Sequence, residues 1–351
     1  MTPLRLAELQ KTYGSTPAVR GVSLDVQGGE VLGLLGPSGC GKTTVLKCMA
    51  GLEQPTGGEI WIGDRLVASA RESVPPERRN IGMVFQSYAL WPHKTVFANI
   101  AYPLEVRGRP REEVRRRVGE ALEVVGLTGL DARYPSQLSG RQQQRVAIAR
   151  SIVYEPQVLL FDEPLSNLDA NTRLRVRGDL KRLLKRLGIT AVYVTHDQTE
   201  AMAICDRIAL MHGGSLIQVG PPDELYARPK SLFVAELIGS GNILAGEVAA
   251  AGEIQAGGLR IACTAMPATA GSVDVVLRRE ALQLLREPIA GGNCWPAQVA
   301  QRVSFGFYQE CAVSAGGTEI TVHTADADWE AGQQGYLTIR PDDVIAFPRE
   351  G

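Results

Sequence analysis

Gly36-Pro37-Ser38-Gly39-Cys40-Gly41-Lys42-Thr43 matches G-x-x-x-x-G-K-[ST] and stands between two stretches of different period. Ahead of it, Val31-Leu32-Gly33-Leu34-Leu35 is an apolar run of the length of a fully buried strand. Behind it, Thr44 to Ala50 becomes helical and Gly51 closes the segment. Strand, glycine loop and helix in that order predict a cradle for phosphate. The glycines let backbone N–H groups converge on phosphate oxygens, and the helix start adds a partial positive charge. Gly36, Ser38, Gly39, Cys40, Gly41, Lys42, Thr43 and Thr44 are therefore the candidate binding residues. Lys42 brings the full charge, expected between β- and γ-phosphates, and the Thr43 hydroxyl is an expected Mg2+ ligand.

Outward from this loop, strands and helices alternate. Residues 4 to 9 and 22 to 26 have the alternation of half-buried strands. Arg111 to Val125 reads as a charged surface helix with Val114, Val118, Leu122 and Val125 on one face. Gln142 to Val153 is helical up to Pro156, after which Val158-Leu159-Leu160-Phe161 forms a strand ending at Asp162-Glu163. A basic amphipathic helix, Thr172 to Leu187, precedes the strand Ile189 to Val194, which runs out at Thr195-His196. This pattern predicts a parallel sheet with its ligand at the strand carboxyl ends. There Asp162 can hold the metal through water, and Glu163 can polarise an attacking water.

A phosphate loop alone leaves kinases, GTPases and many ATPases open; the discriminating run is Leu138-Ser139-Gly140-Arg141-Gln142-Gln143-Gln144-Arg145, with Gly140 lying 22 residues before Asp162. Here the chain resembles the ATP-binding-cassette (ABC) ATPases, whose signature is Leu-Ser-Gly-Gly-Gln. The likeness extends to Tyr13 as the adenine-stacking aromatic, Gln86 after Met83-Val84-Phe85, Ser166-Asn167-Leu168-Asp169, and His196. It implies a composite site, in which the loop of one copy and the signature of a second enclose ATP in a head-to-tail homodimer. In that site Ser139, Gly140, Arg141 and Gln142 face a γ-phosphate, Gln86 ligates Mg2+ and water, His196 contacts the γ-phosphate, and Arg133 is a further candidate for contact in trans. The metal set is then Thr43, Gln86 and Asp162, and the catalytic set Glu163, His196, Gln86 and Lys42. Arg141 departs from the pattern, standing where the family has its second signature glycine. At a helix start an arginine is tolerable, and its guanidinium could reach phosphate.

The chain is 351 residues long, 44% hydrophobic and 21% charged, which is enough for two ordinary globular domains. A net charge of −1 gives no electrostatic reason to expect nucleic acid. From Glu236 onward there are seven Arg, no Lys and fourteen acids, a balance of −7 that leaves +6 to the remainder. That asymmetry, with the glycine-rich break Gly239-Ser240-Gly241-Asn242, predicts domains at 1–238 and 239–351. The second reads as short strands in a small β-barrel of the oligonucleotide/oligosaccharide-binding type. Within it, Val276 to Leu282 is echoed by Thr338 to Val344. The six cysteines show neither C-x-x-C nor disulfide spacing, and four scattered histidines show no metal-ligand spacing. The start has no apolar signal core, and no apolar run exceeds strand length.

The expected fold is thus an α/β P-loop NTPase cassette with a helical subdomain, followed by an all-β domain. The resemblance is to importer ATPases with a C-terminal regulatory or dimerisation barrel, and most to ferric-ion importers, through Met83 to Leu90 and Leu160 to Ala170. It implies ATP and Mg2+, separate membrane permease subunits supplied by a periplasmic solute-binding protein, and a peripheral place on the cytoplasmic face of the inner membrane. Polyamine and aminoethylphosphonate importers are the alternatives. A soluble ABC ATPase of DNA repair or translation fits less well: 120 residues between Lys42 and Asp162 leave no room for a coiled-coil insertion, and only one cassette is present.

Overall fold

Five consecutive buried residues, Val31–Leu35, form the strand on which the first half of the molecule is organised. Thr190–Thr195 and Arg207–His212 flank it in parallel, Val158–Asp162 pairs with the former, and Ile81–Val84 with Val158–Asp162. An antiparallel strand, Ser215–Gly220, completes the six-stranded sheet. Thr190–Thr195 is buried at every position, as a parallel strand covered on both faces must be. Because Val31–Leu35, Val158–Asp162 and Thr190–Thr195 run parallel, Leu35, Asp162 and Thr195 all finish at one edge of the sheet.

The computed structural model describes residues 1–266, 271–326 and 328–349, with backbone only at 170–172. Its compact units are Met1–Leu225 and Tyr226–Gly351. The first unit adds an antiparallel sheet, ordered Thr16–Val26, Leu4–Tyr13, Gly57–Ile62, Arg65–Ser69. Its first two strands run beyond the expected 4–9 and 22–26. Glu8, at φ +48°, breaks the register between Leu6 and Leu9, so that Leu4, Leu6 and Leu9 all face inward. The helix Lys42–Ala50 shares one core with both sheets through Val45, Leu46 and Met49. Helices Val96–Val106, Arg111–Val125 and Gly140–Ile152 pack on one another, and the middle one buries the four predicted residues. Helix Ala170–Leu187 follows the Val158–Asp162 strand.

Among the described residues the second unit has two five-stranded antiparallel sheets around one core. Val273, Val275 and Leu277 enter that core from one sheet and Val299, Val313 and Leu337 from the other, with Trp329 also buried. Gln283–Leu285 and Thr318–Thr324, the edges of the second sheet, approach each other and curl it toward a barrel. The echoed segments fall in different sheets and differ in surroundings: Arg278 is buried and donates to Ala235 O at 2.8 Å, whereas Arg340 is exposed and pairs with Asp343. Among the described residues no helix is long and apolar enough to cross a membrane.

Candidate functional site

The loop Gly36–Gly41 leaves the Val31–Leu35 strand and turns into a helix whose first residue is Lys42. Two glycines are required by geometry. A Cβ on Gly36 would overlap the Met211 carbonyl, and Gly41, the helix N-cap, sits at φ +107°. No side chain caps this helix and its first turn has no acid, so the leading N–H groups point into the loop as a seat for an anion. Lys42 is buried, and its ammonium donates to Gly36 O at 2.7 Å and Pro37 O at 2.9 Å. Ser38 and Gly39 are exposed, Cys40 is buried, Thr43 is exposed and Thr44 half-buried. Tyr13, exposed at the end of its strand, carries the Lys11 ammonium 4.9 Å from its ring centroid.

Across the sheet edge, Asp162 ends its strand within the influence of the Thr43 hydroxyl and of Lys42 and Lys47. Burial, and then the neighbouring charge of Glu163, push the Asp162 carboxyl above its ordinary range, against the pull of Lys47, Thr43 and Lys42. Glu163 is held in the left-handed region, φ +45°, with its N–H donating to Val194 O at 3.0 Å. This turn aims its carboxylate sideways: the Gln86 amide donates to Oε2 at 3.5 Å, and His196 Nδ1 lies 3.2 Å from Oε1. Asn167 fixes the Gln86 loop by donating to the Gln86 carbonyl at 2.8 Å. His196 is exposed, while Asp197 after it caps the helix Gln198–Ile204 and takes the Arg177 guanidinium at 2.8 Å. Buried Glu200 accepts from Tyr193 at 3.0 Å and Thr195 at 2.9 Å, which fixes the strand end that presents His196. Gln86, Glu163 and His196 thus form one cluster, and Thr43 with Asp162 a second.

Ser139 is the N-cap of Gly140–Ile152 and forms a capping box with Gln142, whose Oε1 accepts the Ser139 N–H at 2.9 Å. Ser139 and Gly140 are exposed, so this helix start also faces outward as an anion seat. Arg141 lies within the helix at ordinary φ, and its guanidinium goes to Asp179, not to the seat. Arg133 is exposed on a loop whose backbone bonds Leu130 and Val96.

Two residues escaped the sequence reading. Arg150 is buried at the far end of the signature helix, donating to Tyr88 O at 2.8 Å and Ala89 O at 2.7 Å, with its guanidinium 4.8 Å from the Trp91 ring centroid. Tyr88 and Ala89 are both left-handed, at φ +60° and +47°, and directly follow the Gln86 loop. Asp179 collects Arg141, Arg145 and Arg182. In the sequence Asp179 is visible only as an acid within the basic helix Thr172 to Leu187, and nothing there marks its partners.

Among the described residues no group of three or more His, Cys, Asp and Glu could hold a metal. One carboxylate, a hydroxyl and an amide fit Mg2+, which keeps water and phosphate oxygens among its ligands. Residues 19–166 match the profile of the ABC transporter family. A trehalose/maltose import ATP-binding protein of Thermococcus litoralis is 57% identical over 68% of this chain and 65% of its own length. An Fe(3+) ions import ATP-binding protein of Brucella abortus is 49% identical over 81% and 80%, and a spermidine/putrescine import ATP-binding protein of Rubrobacter xylanophilus 44% identical over 98% and 90%. The chain spans about two thirds of the length of several such relatives, 65–66% in three of them. A dimeric ATP-binding cassette in a post-hydrolysis state with ADP and Pi aligns at a TM-score of 0.54 and 34% identity, covering 62% of this chain and 98% of that one.

Proposed function

Because the chain belongs to the ATP-binding subunits of importer-type ABC transporters, we propose that it hydrolyses ATP to drive solute uptake through separate permease subunits, as a head-to-tail pair of copies. The observation that carries this reading is the Glu163 carboxylate, turned out of its strand by a left-handed backbone and touched by both Gln86 and His196. Thr43, Asp162 and Gln86 would hold Mg2+, which when bound would supply charge neutralisation toward the nucleotide phosphates. Lys42 exchanges the Gly36 and Pro37 carbonyls for phosphate oxygens. Glu163 accepts a proton from the attacking water, Gln86 orients that water, and His196 donates toward the γ-phosphate. Ser139 and the first N–H groups of its helix receive the γ-phosphate held by the loop of the second copy. No phosphate-loop or signature residue lies beyond Ile238, and the β unit is read as dimer contact and regulatory surface.

For the cargo we propose ferric iron, supported by the sequence wording around Gln86 and Asp162 and by the Fe(3+) relative. Polyamine is the second reading, favoured by the spermidine/putrescine relative that aligns over 98% of the chain. The test is uptake of labelled ferric iron, putrescine and maltose in cells lacking this gene, complemented with wild type or Glu163→Gln. Iron uptake restored by wild type alone is expected. Restoration by Glu163→Gln as well removes Glu163 as the base, and a response confined to putrescine or maltose reassigns the cargo while leaving the hydrolytic reading intact.

A further inference from the structure

Arg141 occupies a position where a side chain should interfere. On a helix each Cβ tilts toward the N-terminus, so a residue in the first turn covers the turn ahead of it. For Arg141 that turn is Ser139 and the open N–H groups, the seat read above as receiving a γ-phosphate. A guanidinium lying there would fill the seat, and would place a cation at the positive end of a helix, facing the incoming Lys42 of a second copy.

The structure has a device that prevents this. Arg141 and Arg145, four residues apart on one helix face, both reach Asp179 Oδ2, while Arg182 takes Oδ1 from the other side. Asp179 lies on the helix Ala170–Leu187, beside a cleft of about 440 Å³ lined also by Val125, Arg145, Arg182 and Arg186. Arg145 has an independent anchor, Val125 O at 3.0 Å, whereas the guanidinium of Arg141 goes to Asp179. Burial and the adjacent charge of Arg141 both lower the pKa of Arg145, so the two guanidiniums repel where Asp179 gathers them.

We propose that Asp179 is a positioning residue for the composite nucleotide site: it draws Arg141 sideways off the start of its helix and so keeps the Ser139 seat open. The proposal rests on the two-copy reading above. It makes a specific demand on epistasis, because Asp179 is needed for ATP-driven pairing only while residue 141 is an arginine.

The experiment measures dimerisation of the full chain by sedimentation across an ATP titration, in a Glu163→Gln parent that binds but does not turn over ATP. Asp179→Asn is expected to raise the ATP concentration for half-maximal pairing about tenfold, and Arg141→Gly alone to leave it within about threefold. Combining the two should bring it back to within about threefold of the parent. A double variant as weak as Asp179→Asn, or an Asp179→Asn chain that pairs like the parent, overturns the proposal. Melting without nucleotide separates a loss of fold from a loss of pairing. Should Asp179→Asn not fold, Arg182→Ala approaches the question from an exposed residue: it frees Oδ1 for Arg141, so half-maximal pairing should not rise, and a rise beyond threefold overturns the proposal. A Glu163→Gln parent that never pairs with ATP overturns the two-copy reading itself, and is seen before any Asp179 variant is made.

Discussion

Replacing Arg150 with lysine tests how the Gln86 loop is held. Tyr88 and Ala89 stand in succession in the left-handed region, which costs about 1–2 kcal/mol for each non-glycine residue. The strain persists because two guanidinium N–H groups, buried under Trp91, each bind one of the two carbonyls. A lysine keeps the charge but cannot span both oxygens with the same fork, so one charged hydrogen bond worth about 1.5–3 kcal/mol is lost. In a unit of this size each kcal/mol is about 2–4 °C of melting temperature, which gives a fall of roughly 3–12 °C. The transition to follow is the one ATP raises, since ligand stabilises the unit that binds it. Ala89→Gly then supplies an internal check: glycine relieves the left-handed cost, so adding it to Arg150→Lys should recover about 2–8 °C. Arg150→Lys melting within 2 °C of wild type, or a double variant with no recovery, would refute the strain argument.

Asp162→Asn should melt higher than wild type at pH 7 without ATP and Mg2+, while Mg2+-dependent hydrolysis falls. The folded chain binds the Asp162 proton more tightly than the unfolded chain, so stability declines as pH rises from the ordinary value of 3.8 through the raised one, and the cost persists above it. The advantage of asparagine must therefore vanish when both chains are melted below pH 3.8; a gain that persists there would place its origin elsewhere. If Tyr13 is the adenine-stacking aromatic that the resemblance implies, Tyr13→Ala should raise the KM for ATP about tenfold with kcat kept, and Tyr13→Phe should stay near wild type, because stacking uses the ring and not the hydroxyl. Equal losses in both variants would assign the effect to the Tyr13 hydroxyl.

What could be read in the sequence was whatever is local. Val31–Leu35, the glycine loop and the helix after it announce themselves by a change of period, and Arg111–Val125 by its spacing, and both lie where expected. The order of strands was not legible, since Val31–Leu35 finds its neighbours more than 150 residues away. Nor was the backbone of Glu163, Tyr88 and Ala89, because positive φ at residues other than glycine leaves no mark in composition. Ser139 and Gly140 could be read as a helix start from their identities, yet the destination of Arg141 could not: its carboxylate partner is 38 residues on and reached only through folding. The alternation of residues 4 to 9 stopped being informative where Glu8 inserts an irregularity.

Lys42 makes the phosphate loop its own counterweight. With the ammonium lodged on the Gly36 and Pro37 carbonyls, the loop is braced by its own lysine. On the function proposed above, nucleotide capture is an exchange of partners, with little ordering entropy to offset, and its speed is set by arrival and desolvation instead of by loop folding. The reverse holds after cleavage. On the same reading, once phosphate leaves, the Gly36 and Pro37 carbonyls take the ammonium back, so departure of product leaves no buried charge stranded and the cycle resets without rebuilding its floor.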